Sequence, residues 1–354
     1  MNAFKRKTFG VIMAGGSGTR FWPKSTPDRP KQFLSLNPKR PGVSLIQETA
    51  ERLRGVGVDD LVVLTTRRLQ GLVREHLGEE ADVLAEPQAR NTAACLYWAA
   101  VTLVENHGDP VMVVVPSDQS VQQVERWTAA VRTARAWVEE RSDLVTMGVV
   151  PTRPETGFGY LRIAERTSSD VCPVQAFVEK PSIERAEEYL RSGSYLWNAG
   201  MFVFRARVLL EAFAALAPEY PAAWKAAGGD VDRFFSECPR LSIDVAVFEK
   251  AKNVMTVPLD CGWDDLGNWM AIEGLARRNV KDAEQADVGV VLAGTALGVD
   301  ARRNIIDVPG KTVALVGVHD LIVVESDGVL LIASKEASQK VREVSERASR
   351  PRTL

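Results

Sequence analysis

The chain has 354 residues and a mass of 38.8 kDa, enough for one large domain and a smaller one. Apolar residues make up 45% and charged residues 25%, which is globular composition and excludes a disordered or fibrous chain. Lys and Arg number 44 against 46 Asp and Glu, a formal charge of −2, so no global positive field exists to hold a nucleic-acid backbone.

The first residues, MNAFKRKTFG, run straight into a short apolar strand with no signal-peptide core, so a cytoplasmic location is expected. No apolar run, those at 111–115 and 321–324 included, approaches the roughly eighteen residues a membrane crossing needs. From residue 8 onward strands and helices alternate: strand 8–13, helix 45–54, strand 61–65, helix 67–77, strand 81–84, helix 92–105 and strand 111–115. That is the rhythm of β-α-β units, and the near-continuous runs VMVVV and LVVL fit parallel strands covered on both faces. A helix over 121–140, with Val124, Trp127, Val131 and Ala134 on one side, and a strand at 144–149 continue the doubly wound core.

Beyond 150 the spacing predicts strands at 159–164, 174–179 and 201–205 and helices near 182–192, 206–216 and 243–250, read as insertions in a mixed sheet. A helix follows at 267–278. From 288 to 332 only short apolar runs occur, broken by Gly, Asp and Pro, with strands at 288–292, 296–299, 304–308, 312–316, 321–325 and 328–332. A second, all-β domain therefore starts near 285, as a β-roll, sandwich or solenoid. Residues 335–350 read as a closing helix with Val341 and Val344 inward, and 351–354 as a frayed tail.

Cys95, Cys172, Cys238 and Cys261 form no C-x-x-C pair, and His76, His107 and His319 lie outside the polar, glycine-rich segments. A zinc knuckle, a redox dithiol and a Ser-His-Asp system thus lack support. The strongest signal is FGVIMAGGSGTRFWPKSTPDRPKQFLSL, where strand one empties into a glycine-rich loop. Gly15, Gly16 and Gly18 permit a tight turn and close approach of a ligand to the backbone, whose amides can cradle phosphate oxygens. Thr19-Arg20 stands where a Walker loop requires Gly-Lys, and Phe21 replaces the third glycine of the dinucleotide fingerprint. Arg20 and Lys31 supply cations of the kind phosphoryl and nucleotidyl transfer need, against the plainer reading of a solvated patch with Lys24 and Arg29.

Asp118 follows the fourth strand, beyond the carboxyl end where open sheets bind ligands, and Asp264 and Asp265 open a later helical segment. Two remote carboxylates can suffice for Mg²⁺, which draws its other ligands from substrate phosphates and water; as isolated residues each equally suits a cap or turn. Asn91 or Thr92 suits a helix cap, and Glu179, Lys180 and Asn198 suit either a sugar phosphate or a salt bridge and a turn.

Together these segments resemble the mannose-1-phosphate guanylyltransferases, or GDP-mannose pyrophosphorylases. The resemblance extends from AGGSGTRFWPKSTPDRPKQFL through EPQARNTA, PSD, ETGFGY, FVEKP, WNAGMFVF, SIDVAVFEK and GWDDLGNW into the C-terminal region, nearly the whole chain. It implies a Rossmann-like α/β nucleotidyltransferase domain with a mixed, mainly parallel sheet over 1–284, and a short left-handed β-helix domain with a terminal helix over 285–354. It implies GTP and α-D-mannose 1-phosphate as substrates, GDP-mannose and pyrophosphate as products, and Mg²⁺ as cofactor. Carried over by motif, Arg20, Lys31, Asp118 and Asp265 are catalytic, the two aspartates holding the metal. Ala14, Gly15, Gly16, Gly18, Thr19, Lys24, Glu86, Arg90, Asn91 and Ser117 bind the nucleotide. Gly157, Glu179, Lys180 and Asn198 take the sugar phosphate.

Ending at 354, the chain leaves no room for the isomerase domain of longer relatives, so a monofunctional transferase is expected. A homodimer associated through the β-domain is also expected, without nucleic-acid or membrane partners. The competing readings are a transferase for another base or for glucose 1-phosphate, and a non-catalytic sugar-nucleotide sensor.

Overall fold

The computed structural model describes residues 6–16, 18–164, 170–277 and 288–348. They group into two compact units: Met1–Gly15, Thr49–Ser117 and Val121–Trp263, and then Gly16–Glu48, Asp118–Ser120 and Asp264–Leu354.

In the first unit, β1 (Thr8–Met13) is buried on both faces and pairs in parallel with β2 (Asp60–Thr66) and β4 (Val111–Pro116). The parallel run ends at β3 (Asp82–Glu86). The runs LVVL and VMVVV, read as strands covered on both faces, are the buried β2 and β4. Gly10 of β1 lets α1 (Leu45–Val56) sit close, since a Cβ there would meet Leu61 at 2.7 Å and Leu53 at 3.0 Å. The alanine-rich face of α3 (Asn91–His107) packs with Phe9, Met112 and Phe204 in the main core.

The rest of the sheet departs from the expected mainly parallel, open arrangement. β8 (Tyr195–Arg205) runs antiparallel to β4 and to β5 (Leu144–Val149). β9 (Val254–Leu259) is parallel to β5 and antiparallel to β7 (Cys172–Glu179), and β6 (Gly159–Ile163) joins β7 to β8, both antiparallel. The order β3-β2-β1-β4-β8-β5-β9-β7-β6 therefore closes on itself through the β6–β8 pairing. The long β8 makes this possible by pairing with β5 along most of its length, from Trp197 to Val203, while it pairs with β4 over 202–205 and with β6 over 195–197.

Other differences are local. β9 was not expected. In α4 (Val124–Glu140) Trp127, Val131 and Ala134 are buried as expected, but Val124 is exposed at the first position. α5 (Ile183–Ser192) and α6 (Ala206–Leu216) match expectation, while α7 (Glu219–Ala227) and α8 (Val231–Glu237) add to it. The segment expected as a helix over 243–250 is a π-helical turn, Asp244–Phe248. All four cysteines are buried free thiols.

In the second unit, β10 (Gly289–Val299), β11 (Asn304–Val316) and β12 (Leu321–Ser326) stack in parallel, and β13 (Val329–Ser334) returns antiparallel. Parallel stacking of short coils selects a β-helix-like module over the roll or sandwich. The predicted pairs 288–292 with 296–299 and 304–308 with 312–316 are the single strands β10 and β11; in β10 the corner falls at Gly294, at φ +87°, where a Cβ would collide with Val308 O at 2.1 Å. The expected boundary at 285 and the end of the 267–278 helix fall outside the described residues; α9 is described over Trp269–Arg277.

The closing segment is a 3₁₀ stretch, Lys335–Lys340, leading into α10 (Val341–Ala348). Val341 is buried as expected, but Val344 is exposed and Ser345 takes the inward place, because positions four apart share the buried face. Val341 packs in a cluster with Phe21, Leu45, Leu266, Trp269 and Ile305. Phe21 and Trp269 meet edge to face at 5.2 Å. No described helix is long and apolar enough to cross a membrane.

Candidate active site

Five expected residues line one pocket of about 380 Å³ in the second unit: Gly18, Arg20, Lys31, Asp118 and Asp265, with Arg342 beside them. Local backbone structure brings the two carboxylates there. Ser120 and Asp264 form an isolated antiparallel bridge, exchanging N–H···O bonds of 2.9 and 3.1 Å. Asp118 and Asp265 flank that bridge.

Lys31 ties the arrangement together. Its buried ammonium donates to Asp265 O at 2.7 Å and Leu266 O at 3.1 Å, and pairs with Asp118 Oδ2 at 2.8 Å. Leu266 is held at φ +49°, a conformation unusual for a bulky side chain. Its own N–H is held by Asp264 Oδ1 at 2.8 Å, and Asp265 Oδ1 accepts from the Gly267 N–H at 3.1 Å. Each aspartate is thus a turn residue, as the plainer sequence reading held, and Asp265 also lines the pocket. Burial pushes its carboxyl up to about 6, Lys31 opposing and Asp264 and Asp118 adding to the rise. Among the described residues no group of three or more His, Cys, Asp or Glu is arranged to hold a metal. Two mutually repelling carboxylates nevertheless fit a hard divalent ion that takes its other ligands from phosphate oxygens.

Gly18 is at φ +51°, and a Cβ there would lie 2.5 Å from Lys31 Cβ and 2.7 Å from Lys31 N. Gly18→Ala should therefore displace Lys31, destabilising the protein by about 1–3 kcal/mol and slowing turnover. Gly16, with open space at its Cβ position, provides the control: Gly16→Ala should leave the urea midpoint unchanged.

Gly16 O accepts from Gln32 Nε2 at 3.1 Å, Thr19 opens the turn Thr19–Phe21, and Arg20 Nη1 reaches Gly267 O at 3.4 Å. Lys24 is committed elsewhere: its ammonium lies 2.5 Å from Asp307 Oδ2 of β11, and it does not line the pocket.

The remaining expected residues belong to the first unit. Ala14 continues β1 by donating to Leu64 O at 2.7 Å, and Ser117 donates to Met13 O at 3.0 Å. Gly15 neighbours Glu86, whose Oε1 would lie 3.4 Å from a Cβ at 15. Burial pushes the Glu86 carboxyl up to about 8, only partly opposed by the backbone N–H of Arg90. Arg90 Nη2 donates to Ser236 O at 2.8 Å, and Asn91, at φ +63°, accepts from the Thr92 N–H at 2.9 Å.

Asn198 lies in a polar chain: its amide donates to Asp244 Oδ1 at 2.9 Å, and its Oδ1 accepts from Thr146 Oγ1 at 3.0 Å and the Gly200 N–H at 3.2 Å. Glu179 pairs with Lys180 Nζ at 3.1 Å and sits against Gly159, where a Cβ would meet its Oε1 at 2.5 Å. Gly157, exposed, donates to Glu155 Oε1 at 3.1 Å. Asp244 was missed, although the motif SIDVAVFEK contains it. Burial and then the Glu179 charge push its carboxyl up to about 6. Its position in a π-helical turn is a frequent mark of functional sites.

Comparison with known proteins identifies the family. Residues 9–281 match the family described as nucleotidyl transferase, and residues 294–347 match the mannose-phosphate isomerase/GMP-like β-helix domain. The chain is 37% identical over 350 residues to the mannose-1-phosphate guanylyltransferase RfbM of Salmonella typhimurium, covering 94% of this chain and 71% of that one. It is also 37% identical over 353 residues to a mannose-1-phosphate guanylyltransferase of Escherichia coli, covering 95% and 73%. A Thermus thermophilus crystal structure described as a mannose-1-phosphate geranyltransferase matches with a TM-score of 0.87 at 32% identity, covering 97% of this chain and all of that one. The chain therefore belongs to the nucleotidyl transferase family, in the group of the mannose-1-phosphate guanylyltransferases, and is an enzyme of the sugar-1-phosphate nucleotidyltransferase type.

Proposed function

We propose that the enzyme transfers GMP from GTP to α-D-mannose 1-phosphate, giving GDP-mannose and pyrophosphate. The observation that carries this reading is the pocket in which Lys31 links the Asp118 carboxylate to the backbone at Asp265, with Arg20 alongside. An oxygen of the sugar phosphate attacks the α-phosphorus in line. The bond from that phosphorus to the bridging oxygen breaks, and its electron pair leaves with pyrophosphate. The acceptor is already ionised, so the protein supplies position and charge stabilisation without a base.

Arg20 faces the growing charge on the phosphates, and Lys31 keeps both acidic segments in register. Asp118 and Asp265 would hold Mg²⁺, which when bound neutralises part of the triphosphate charge. The amides at Gly15, Gly16, Gly18 and Thr19 follow the phosphate chain, with Ala14 and Ser117 fixing the strand ends. Glu86, Arg90 and Asn91 take the guanine end, and Lys24 acts only indirectly through Asp307. Gly157, Glu179, Lys180 and Asn198 take mannose 1-phosphate, with Asp244 orienting the Asn198 amide.

The domain limits 1–284 and 285–354, a left-handed winding of the β-helix and a cytoplasmic location complete this reading. A homodimer is supported by an exposed apolar row, Leu297, Val299 and Val316, in which Val299 and Val316 stand in register. The decisive experiment measures pyrophosphate release with four nucleoside triphosphates and several sugar 1-phosphates, with Mg²⁺ and with chelator. GTP with mannose 1-phosphate should be fastest and fail under chelation; faster turnover with another base or sugar overturns the assignment.

A further inference from the structure

The terminal helix contributes a residue that no motif pointed to. Arg342 lines the same pocket as Gly18, Arg20, Lys31, Asp118 and Asp265, although it lies more than three hundred residues from the glycine-rich loop. Its position is fixed from several sides. The preceding residue, Val341, is buried in the cluster with Phe21 and Leu266, the chain neighbours of Arg20 and Asp265. Lys335, opening the 3₁₀ stretch before α10, makes a buried ion pair with Glu273 of α9 at 2.6 Å and donates its N–H to Asp320 O at 2.8 Å. Ser334 caps that stretch by accepting from the Ala337 N–H.

The charge inventory of the pocket gives Arg342 its task. A triphosphate brings about four negative charges, and the pocket already holds two carboxylates. All three Lys31 donors are engaged with protein acceptors: Asp265 O, Leu266 O and Asp118 Oδ2. Lys24 is bound to Asp307. Two guanidinium groups remain, on Arg20 and Arg342. Arg342 Nε donates to Glu346 Oε1 at 2.8 Å on the solvent side of α10, and the side chain is 65% exposed. Among the described residues its Nη groups have no protein partner, and a guanidinium presents them as a planar fork suited to two phosphate oxygens.

We propose that Arg342 is a second phosphate-binding cation of the active site, contacting the polyphosphate tail of the nucleotide and the pyrophosphate formed from it. The C-terminal module thereby completes the catalytic pocket. This rests on the nucleotidyl-transfer reading but not on which base or sugar is used.

The test uses the full chain with Arg342→Ala, Arg342→Lys and Glu346→Gln. Pyrophosphate affinity is read by calorimetry, and the KM for triphosphate and for sugar phosphate are read in the forward reaction. Arg342→Ala should weaken pyrophosphate binding and raise the KM for triphosphate about tenfold, with the KM for sugar phosphate within twofold and the melting temperature unchanged. Arg342→Lys should recover part of the loss, since a point charge replaces a fork. Glu346→Gln releases the guanidinium and should leave pyrophosphate binding equal or tighter. Unchanged pyrophosphate affinity in Arg342→Ala overturns the proposal. So does an equal loss in Glu346→Gln, which would trace the effect to the helix-surface pair. Because the binding arm needs only pyrophosphate, its outcome is separate from the substrate matrix that judges the function itself.

Discussion

Asp265→Asn will keep the fold and lower turnover by about 10²–10³-fold, the scale of removing one preorganised electrostatic group. The substitution is a clean test because the structural duty of this side chain survives it. Asp265 Oδ1 accepts from the Gly267 N–H, and an Asn oxygen accepts equally well. What changes is charge, in a place where burial and two neighbouring acids already push the carboxyl up to about 6. Removing that charge also removes the cost of ionising a buried group, so a loss of turnover would not be a loss of folding. Asp118→Asn should lose activity on the same scale but carries a structural penalty as well. It removes the partner of a buried ammonium, and because Asp118 is itself about a third exposed, the loss is limited to about 1 kcal/mol. Steady-state pyrophosphate release beside urea unfolding separates the two effects. Rates within threefold of the parent for both variants would remove these residues from the chemistry.

The parts of this site that sequence reading reached are those fixed by local geometry. Asp118 was legible because a continuous apolar run such as VMVVV predicts a buried strand, and residues just past such strands face the ligand crevice of α/β sheets. The glycine loop was legible because Gly18 needs a positive φ and a missing Cβ, both properties of one residue. Contacts between distant segments were not legible. Nothing near Lys31 announces that its three donors end on residues more than eighty and two hundred positions away. Arg342 looked like one charge on an amphipathic helix, and Lys24 looked like a phosphate helper until Asp307 engaged it.

The sheet divides the same way. β1 to β4 follow from apolar runs, whereas the ring closure depends on β9, a short strand containing Pro258 whose partners β5 and β7 lie far back in the chain. The C-terminal corners misled in the opposite direction. Gly294 reads as a strand breaker in sequence, yet it allows one strand to bend and keep its ladder.

The Glu86 carboxyl gives a large pH effect. Burial pushes it up to about 8, from an ordinary value of 4.5. The folded state therefore holds this proton more tightly than the unfolded chain, and stability declines as pH rises from about 4.5 through about 8. The full loss, present above pH 8, amounts to about 5 kcal/mol. Glu86→Gln keeps a neutral hydrogen-bonding group of the same size. Its urea midpoint should match the parent near pH 4 and exceed it at pH 9; parallel pH profiles would refute the shift. With guanine placed at Glu86 as proposed, the same proton reports on the base. Guanine offers N–H donors at N1 and N2, which favour the ionised carboxylate as acceptor, so GTP binding at pH 7 should release close to one proton. Calorimetry in buffers of different ionisation enthalpy measures that number directly. Release should vanish in Glu86→Gln and with ATP, whose adenine has no N1 proton. Release unchanged by the substitution would place the guanine elsewhere.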